Sequence, residues 1–300
     1  MAKAIFVTKP ASRYDDLIEN RYHFPRTYLN MARQCEDDMV IFYEPRRPST
    51  DLSSTGGRQA YFATARVREI APDPSTPDHF FALIDTPSFI EFTTPVPFKG
   101  AGGYLERRLE KEDGSTNKGL FGRAIRLIDN DEYDAILRIG FAEELRPEAE
   151  PAREYELADP PAEFEHPVVE QLVRRPFRER AFALNVRRAY DARCAMTGIR
   201  LVNGGGRAEM EAAHIRPVEH KGPDLVRNGI ALSRTFHWMF DRGLLSIDND
   251  QTILVAEKHV EPAVLRMLNP DRKLMVPKDP ALQPHRQYLE YHRDKVFKGT

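Results

Sequence analysis

Short runs of alternating apolar and polar residues fill the first 140 residues of this 300-residue chain. A period of two is typical of half-buried β-strands. The runs are AKAIFVT, DMVIFYEP (38–45), RQAYFATARVREI (58–70), HFFALID (79–85) and FIEFTTPVPF (89–98). RAIRLIDNDEYDAILRIG (123–140) then predicts a strand, a turn and a short helix. Several short strands separated by turn signals favour a small closed or half-closed barrel.

An acidic, proline-rich segment follows these strands. Residues 141–166 contain nine acidic residues and four prolines in 26 positions, a composition that cannot bury enough apolar surface for a core. A chain of 300 residues is long enough for two domains. We therefore expect a domain over 1–140, a linker over 141–166 and a second domain over 167–300.

The second domain begins with helical spacing. Residues 167–193 predict two helices separated by Pro176, and 194–201 predicts a strand before a glycine-rich hairpin tip. The last part of this domain, 244–256, predicts a β-hairpin, and a helix is expected around the AVLRML segment.

Three polar residues stand out between these elements. His214 lies in AAHI, which predicts a short strand, and Asn228 follows after a loop. From about Gly229 the apolar spacing becomes helical, and Gly243 is expected to end that helix. On such a helix His237 and Asp241 are four residues apart and share one face, where they could hold one divalent ion.

Each of these residues also has an ordinary structural explanation. A histidine beside apolar residues is usually a satisfied core group, and an asparagine before a helix is usually a cap or turn residue. The whole order of histidine, loop, Asn-Gly and a helix with His and Asp is much rarer by chance. This order resembles the HNH nuclease motif, over about residues 180–256.

The resemblance implies a ββα-metal fold and hydrolysis of a phosphodiester bond. It implies that His214 is the general base and that His237 and Asp241 are metal ligands. Asn228 either holds the loop that carries His214 or contributes to the metal site. An imidazole can deprotonate water near neutral pH, and a divalent ion can neutralise charge on the phosphoryl oxygens.

One position departs from the pattern. Many HNH proteins have another metal ligand directly before the general base, but here that residue is Ala213. Glu211 lies on the same side of the strand as Ala213, so we expect Glu211 to substitute, directly or through water. Mixed nitrogen and oxygen ligands suit Mg, Mn, Ni or Zn, and the sequence does not choose among them.

Charge is distributed unevenly along the chain. Residues 167–300 carry 23 Lys and Arg against 16 Asp and Glu, and residues 1–166 carry 21 against 30, which gives +7 and −9 within the net −2. Basic character near the HNH motif suits phosphate binding. The expected phosphate contacts are Arg187, Arg188 and Arg216, although a solvated helix face would look the same.

Two cysteines, Cys35 and Cys194, exclude a disulfide framework and a four-cysteine zinc site. The N-terminus has no apolar segment followed by a small-residue cleavage site, and no run of eighteen apolar residues occurs. We therefore expect a cytoplasmic protein without a membrane span.

The N-terminal pattern resembles the PUA-like superfamily, particularly its EVE and SRA-related branches. DMVIFYEP, YFATARVREI, HFFALID and PVPF carry the resemblance. It implies a β-barrel that holds nucleic acid, often with a flipped or modified base between aromatic side chains. Candidate pocket residues are aromatic or histidine side chains on or near predicted strands: Tyr22, His23, Phe24, Tyr28, Tyr43 and Tyr61. Packing in the core is the alternative for each of them.

Together the two resemblances imply an α+β protein that is a modification-dependent restriction endonuclease. Its expected substrate is double-stranded DNA with a modified cytosine. One HNH site cuts one strand, so a double-strand break implies a homodimer or two successive events. The alternatives are a nicking or homing-type HNH nuclease that reads ordinary sequence, and a non-catalytic DNA-binding protein with a decayed HNH fold, which Ala213 would suit.

Overall fold

The structure is a computed structural model that describes residues 2–8, 17–45, 58–100, 102–142, 175–203 and 208–299. The chain divides into two compact units, Met1–Ala181 and Phe182–Thr300. Beyond its first two positions, the linker predicted over 141–166 lies outside the described residues. No helix in the described part of the chain is long and apolar enough to cross a membrane.

A seven-stranded sheet forms the first unit. Its strands run in the order β2-β5-β4-β3-β1-β9, with β6 paired to β4. The strands of this unit are β1 (Lys3–Val7), β2 (Arg21–Pro25), β3 (Met39–Glu44), β4 (Ala60–Pro72), β5 (His79–Ile84), β6 (Ile90–Pro97), the short pair β7 (Lys99–Gly100) and β8 (Gly103–Tyr104), and β9 (Ile125–Ile128). Strands β1 and β3 are parallel, and the other pairs in the sheet are antiparallel.

Strand β4 holds the sheet together, because it pairs with β3, β5 and β6. Irregularities in its register lie at Tyr61/Ala63 and Val67/Glu69, and such bulges increase the local bend and twist of a strand. The strands predicted from alternation are confirmed. Among the described residues, however, the pairings end at β2 and β9 and do not close. The unit is therefore a mixed α+β structure, and the predicted closed barrel is not confirmed.

Helices cover the sheet of this unit at several points. They are α1 (Leu29–Arg33), α2 (Lys118–Phe121) and α3 (Asn130–Gly140). Helix α3 begins where Glu132 Oε2 accepts a hydrogen bond from the backbone nitrogen of Asp129 at 2.9 Å. Ile136 and Leu137 of α3 are fully buried in the core beneath β1, β3 and β6.

The first unit buries an ion pair beside aromatic rings. The guanidinium of Arg126 donates to both carboxylate oxygens of Glu106, at 2.7 and 2.6 Å, and Tyr61 donates to the same carboxylate at 2.6 Å. Burial and this carboxylate raise the pKa of Tyr61. Removal of one partner would leave a buried charge without compensation, so this group specifies how the sheet packs.

Within the described residues, the second unit contains two β-hairpins, three complete helices and the end of another helix. Its elements are the end of α4 (Arg175–Ala189), the hairpin β10 (Glu211–His214) and β11 (Gly229–Leu232), α5 (Arg234–Asp241), the hairpin β12 (Leu245–Ile247) and β13 (Ile253–Val255), α6 (Pro262–Leu265) and α7 (Arg286–Lys295). Pro176 lies in the first turn of α4, where a proline is tolerated, and the helix predicted before Pro176 lies outside the described residues.

Two predictions in this unit are wrong in detail. Gly229–Leu232 is a strand paired with β10, and the helix begins only at Arg234. All four residues of β11 are buried, and a short, fully buried apolar run cannot be distinguished from a helix by its period. The strand predicted over 194–201 is instead a turn, since Gly198 donates to the Cys194 carbonyl at 2.8 Å.

The end of α5 follows the sequence closely. Gly243 has a φ of +71°, and a Cβ at this position would lie 2.0 Å from the backbone oxygen of Val296. Only glycine fits this close approach. The predicted hairpin over 244–256 is confirmed as β12 and β13, and it lies beside α7, which the sequence did not predict.

Candidate active site

The β10–β11 hairpin and α5 place the predicted HNH residues. His214 is the last residue of β10, and its side chain is 19% exposed. The ring of Phe182, from α4, stacks on the imidazole with centroids 3.9 Å apart and planes 12° from parallel. Phe182 thereby fixes the plane of the ring and shields one of its faces from water.

Asp224 contacts the imidazole of His214 and was missed by the sequence analysis. Its Oδ1 lies 2.9 Å from Nε2 of His214, and its side chain is only 5% exposed. A carboxylate only accepts hydrogen bonds, so a neutral His214 must carry its hydrogen on Nε2. Nδ1 is then the nitrogen with a lone pair that can take a proton. In the sequence, Asp224 follows Gly-Pro, a pattern that indicates a loop and does not indicate a functional carboxylate.

Asn228 holds the loop between His214 and β11. It is fully buried, and its Oδ1 accepts from the backbone nitrogen of Arg216 at 2.9 Å. Its Nδ2 donates to the carbonyls of Arg216 and Pro223, at 3.0 and 2.9 Å. Of the two roles open to Asn228 from the sequence, this geometry corresponds to holding the loop.

His237 lies between two carboxylates. Its Nδ1 is 3.0 Å from Oε2 of Glu211, and its Nε2 is 3.4 Å from Oδ2 of Asp241. Glu211 also accepts a hydrogen bond from Nε of Arg234 at 3.0 Å. The predicted separation of four residues between His237 and Asp241 on one helix is confirmed.

The charges in this region influence one another. Burial raises the pKa of Asp241, and His237, Arg242 and His214 oppose that rise. Burial also disfavours the ionised form of Glu211, but hydrogen bonds from His237 and Arg234 outweigh it and lower the pKa of Glu211. Both histidines and Glu211 therefore influence the charge of Asp241.

The donor set suits a divalent ion only in part. Imidazole nitrogen with carboxylate oxygen is appropriate chemistry, and Nε2 of His237 faces Asp241. Glu211 instead contacts the opposite ring nitrogen. Within the described residues, no three His, Cys, Asp or Glu side chains gather around one point as a metal site. The pair His237 and Asp241 fits an ion that takes its other ligands from water and phosphate, as Mg²⁺ commonly does.

Ala213 does not line this site. It is fully buried, pairs with Ile230 and packs in the hydrophobic core of the second unit. The residue before the candidate base therefore contributes to packing in this protein.

The arginines predicted to contact phosphate occupy different environments. Arg216 lies next to the site on the loop after β10, where its Nε donates to the His220 carbonyl and its guanidinium lies 5.0 Å from the ring centre of Tyr291. Arg187 and Arg188 lie in the last turn of α4, with Arg188 exposed. Their contact with phosphate stays a prediction.

Most of the predicted base-pocket residues lie in the core of the first unit. Four of the six are at most 6% exposed: Tyr22, Phe24, Tyr43 and Tyr61. The hydroxyl of Tyr22 donates to the carbonyls of Val7 and Ala124. The alternative of core packing describes these four residues, since Tyr22 packs against Phe24 and Tyr43 packs against Tyr61 in the buried interior. His23 and Tyr28 are partly exposed.

One comparison with known protein families matches the region of the nuclease motif. An HNH endonuclease domain, of the HNH_2 family, is matched over residues 194–248. No curated protein matches the sequence.

Two solved structures share low similarity with the chain. A modification-dependent restriction endonuclease, TagI, is 18% identical, with 86% of this chain and 74% of that chain covered and a TM-score of 0.32. Protein Atu2648 from Agrobacterium tumefaciens is 12% identical, with 48% and 96% covered and a TM-score of 0.28. Scores this low do not define a common fold.

Proposed function

We propose that the protein is a metal-dependent DNA endonuclease of the HNH type. The observation that carries this proposal is that His214 ends the hairpin strand β10 and that His237 lies 3.4 Å from Asp241 on the following helix α5, all within the matched HNH domain.

His214 is the general base in this proposal, and Asp224 positions it. Phe182 fixes the plane of the ring, and Asp224 holds the hydrogen on Nε2. Nδ1 can then accept a proton from a water molecule that attacks the phosphorus atom. When the water is deprotonated, His214 becomes a cation, which the buried carboxylate of Asp224 stabilises.

His237 and Asp241 would hold the divalent ion, which supplies positive charge beside the phosphoryl and leaving oxygens. Glu211 orients His237 through Nδ1 and keeps Nε2 directed toward Asp241. Outer carboxylates of this kind commonly fix the ring of a metal-binding histidine. We therefore assign Glu211 an orienting role instead of the metal-ligand role, direct or through water, that the sequence analysis expected.

The first unit is proposed to direct cleavage to modified cytosine. The resemblance of its strands to PUA-like proteins supports this part, and so does strand β4, whose register irregularity at Val67/Glu69 lies where its pairing passes from β3 and β6 to β5. Four candidate pocket rings are buried, so among the six predicted residues His23 and Tyr28 are the ones within reach of a base.

Cleavage of matched DNA duplexes tests both parts. The duplexes carry cytosine, methylcytosine, hydroxymethylcytosine or glucosylated cytosine, and each is incubated with Mg²⁺ or Mn²⁺. We expect a modified duplex to be cut and the unmodified one to be spared. Equal cutting of all four duplexes would refute the proposal that the first unit recognises modified cytosine. The nuclease assignment would remain.

A substitution of His214, the proposed general base, tests the catalytic assignment. His214→Ala should reduce cleavage by about 10²–10⁴-fold, the usual contribution of a general base, while DNA binding is retained. His259→Ala is the matched control, because His259 is exposed on a short helical turn outside the site. A wild-type protein that binds DNA but cuts no duplex with any divalent ion would instead be the non-catalytic binder.

A further inference from the structure

Helix α5 exposes a row of residues that the proposed chemistry does not use. Its buried face consists of Phe236, Met239 and Phe240. The opposite face carries Arg234 and Trp238, four residues apart, and Arg242 follows after another four at the end of the helix. Residues four apart lie above one another on a helix, so this Arg-Trp-Arg row is continuous along its surface.

Trp238 is 58% exposed, although tryptophan is the largest apolar side chain. Single exposed apolar residues are common on soluble proteins and need no explanation by themselves. The position of Trp238 between two arginines distinguishes it from such cases. Aromatic rings stack on bases and sugars, and arginines bind phosphate, so this combination is typical of surfaces that contact nucleic acid.

The row lies directly beside the candidate catalytic residues. Trp238 follows His237 in the chain, and Arg242 follows Asp241. Successive helical residues are about 100° apart around the axis and 1.5 Å apart along it. DNA extends on both sides of the bond that is cut. A duplex whose phosphate reaches His237 therefore also passes close to the surface next to that residue.

Other charges near the row are acidic and have partners. Glu211 accepts from Nε of Arg234, and Glu209 accepts from its backbone nitrogen at 3.0 Å. These contacts hold the first turn of α5 in place. The exposed ring of Trp238 is thus presented on a fixed backbone, which lowers the entropy lost when it is covered.

We propose that Trp238 is a DNA-contacting residue that seats the duplex beside the cleavage site, with Arg234 and Arg242 facing the backbone on either side. This inference rests on the proposed nuclease function, and it adds a binding residue outside the catalytic group. The occupant is the DNA substrate itself, next to the bond that is cut.

The intrinsic fluorescence of the protein tests this directly, because Trp238 is the single tryptophan of the chain. Short DNA duplexes, one plain and one with hydroxymethylcytosine, are titrated into the full-length protein in a chelating buffer, so that binding occurs without cleavage. Binding is followed in parallel by mobility shift. We expect the emission of Trp238 to change and to saturate together with the mobility shift.

Variants give a second measurement. Trp238→Ala should weaken DNA binding about tenfold, within the range for loss of one base-stacking aromatic residue, and Trp238→Phe should restore most of it. Met267→Ala is the control, since Met267 is an exposed apolar residue, at 49%, on a different segment of the same unit.

Two outcomes would overturn the inference. One is a duplex that binds by mobility shift while the fluorescence stays constant and Trp238→Ala binds normally. The other is an emission change that depends on protein concentration without DNA, which would assign the ring to contact with a second copy of the chain. In either case, cleavage by the wild-type protein would leave the nuclease function standing.

Discussion

The contact between Asp224 and His214 gives the sharpest prediction for catalysis. Replacing Asp224 with asparagine keeps the size of the side chain but removes its charge. The amide can donate to Nε2 of His214, which would place the imidazole hydrogen on Nδ1 and leave no lone pair there. We therefore expect Asp224→Asn to lower kcat and to leave DNA binding nearly unchanged.

The magnitude follows from the geometry of this contact. The hydrogen bond is 2.9 Å long, and the carboxylate is almost completely buried. Hydrogen bonds with a charged partner contribute about 1.5–3 kcal/mol. If this energy acts mainly on the transition state, where His214 gains a positive charge, kcat should fall roughly 10- to 150-fold.

The assay is single-turnover cleavage of a labelled duplex, with DNA affinity measured separately in a chelating buffer. Asp271→Asn is the matched control, because it makes the same change of charge at an exposed residue whose carboxylate holds only a local turn. A variant with normal kcat would refute the positioning role. A variant that loses kcat, DNA affinity and thermal stability together would indicate that Asp224 has only a structural role.

Three further predictions concern stability of the second unit, with urea unfolding followed by Trp238 fluorescence. Burial lowers the pKa of His292 to about 4, from an ordinary value of 6.5. The unfolded chain therefore binds the proton first as pH falls, and the free energy of unfolding should drop between pH 6.5 and 4, by about 2 kcal/mol at pH 5. His292→Gln should lose this pH dependence. A variant whose stability depends on pH as in the wild type would contradict the prediction. Gly243→Ala should destabilise by at least about 1 kcal/mol, because of its positive φ and its contact with Val296, whereas Gly100→Ala, in open space in the first unit, should not. Asn228→Ala should cost roughly 3 kcal/mol by leaving three backbone groups of the loop without partners; a loss under about 1 kcal/mol would mean that water replaces the amide.

Local pattern was sufficient for most elements. Local pattern located strands β1, β3 to β6 and β9 of the first unit, but not β2, and it located the β12–β13 hairpin. The separation of His237 and Asp241 and the glycine that ends their helix also follow from sequence, since both depend on helix geometry alone. These features are determined within one or two turns of the chain.

Contacts between residues far apart in the sequence determined the features that local pattern did not predict. Gly229–Leu232 is a strand because β10 pairs with it, although its own apolar run suits either structure. Four of the aromatic residues expected in a base pocket are core residues, because contacts with residues distant in sequence bury their rings, as between Tyr22 and Phe42 and between Tyr43 and Tyr61. Neither result depends on residues that are close in sequence.

The candidate site shows the same division. Sequence alone identified His214 as the imidazole of the motif. Only the folded chain brings Phe182 from 32 positions earlier onto its ring and Asp224 from across a loop onto its Nε2. A histidine can act as a general base in a defined direction when other groups fix the plane of its ring and the nitrogen that carries its hydrogen. Those groups are selected by tertiary contacts, which residue spacing does not encode.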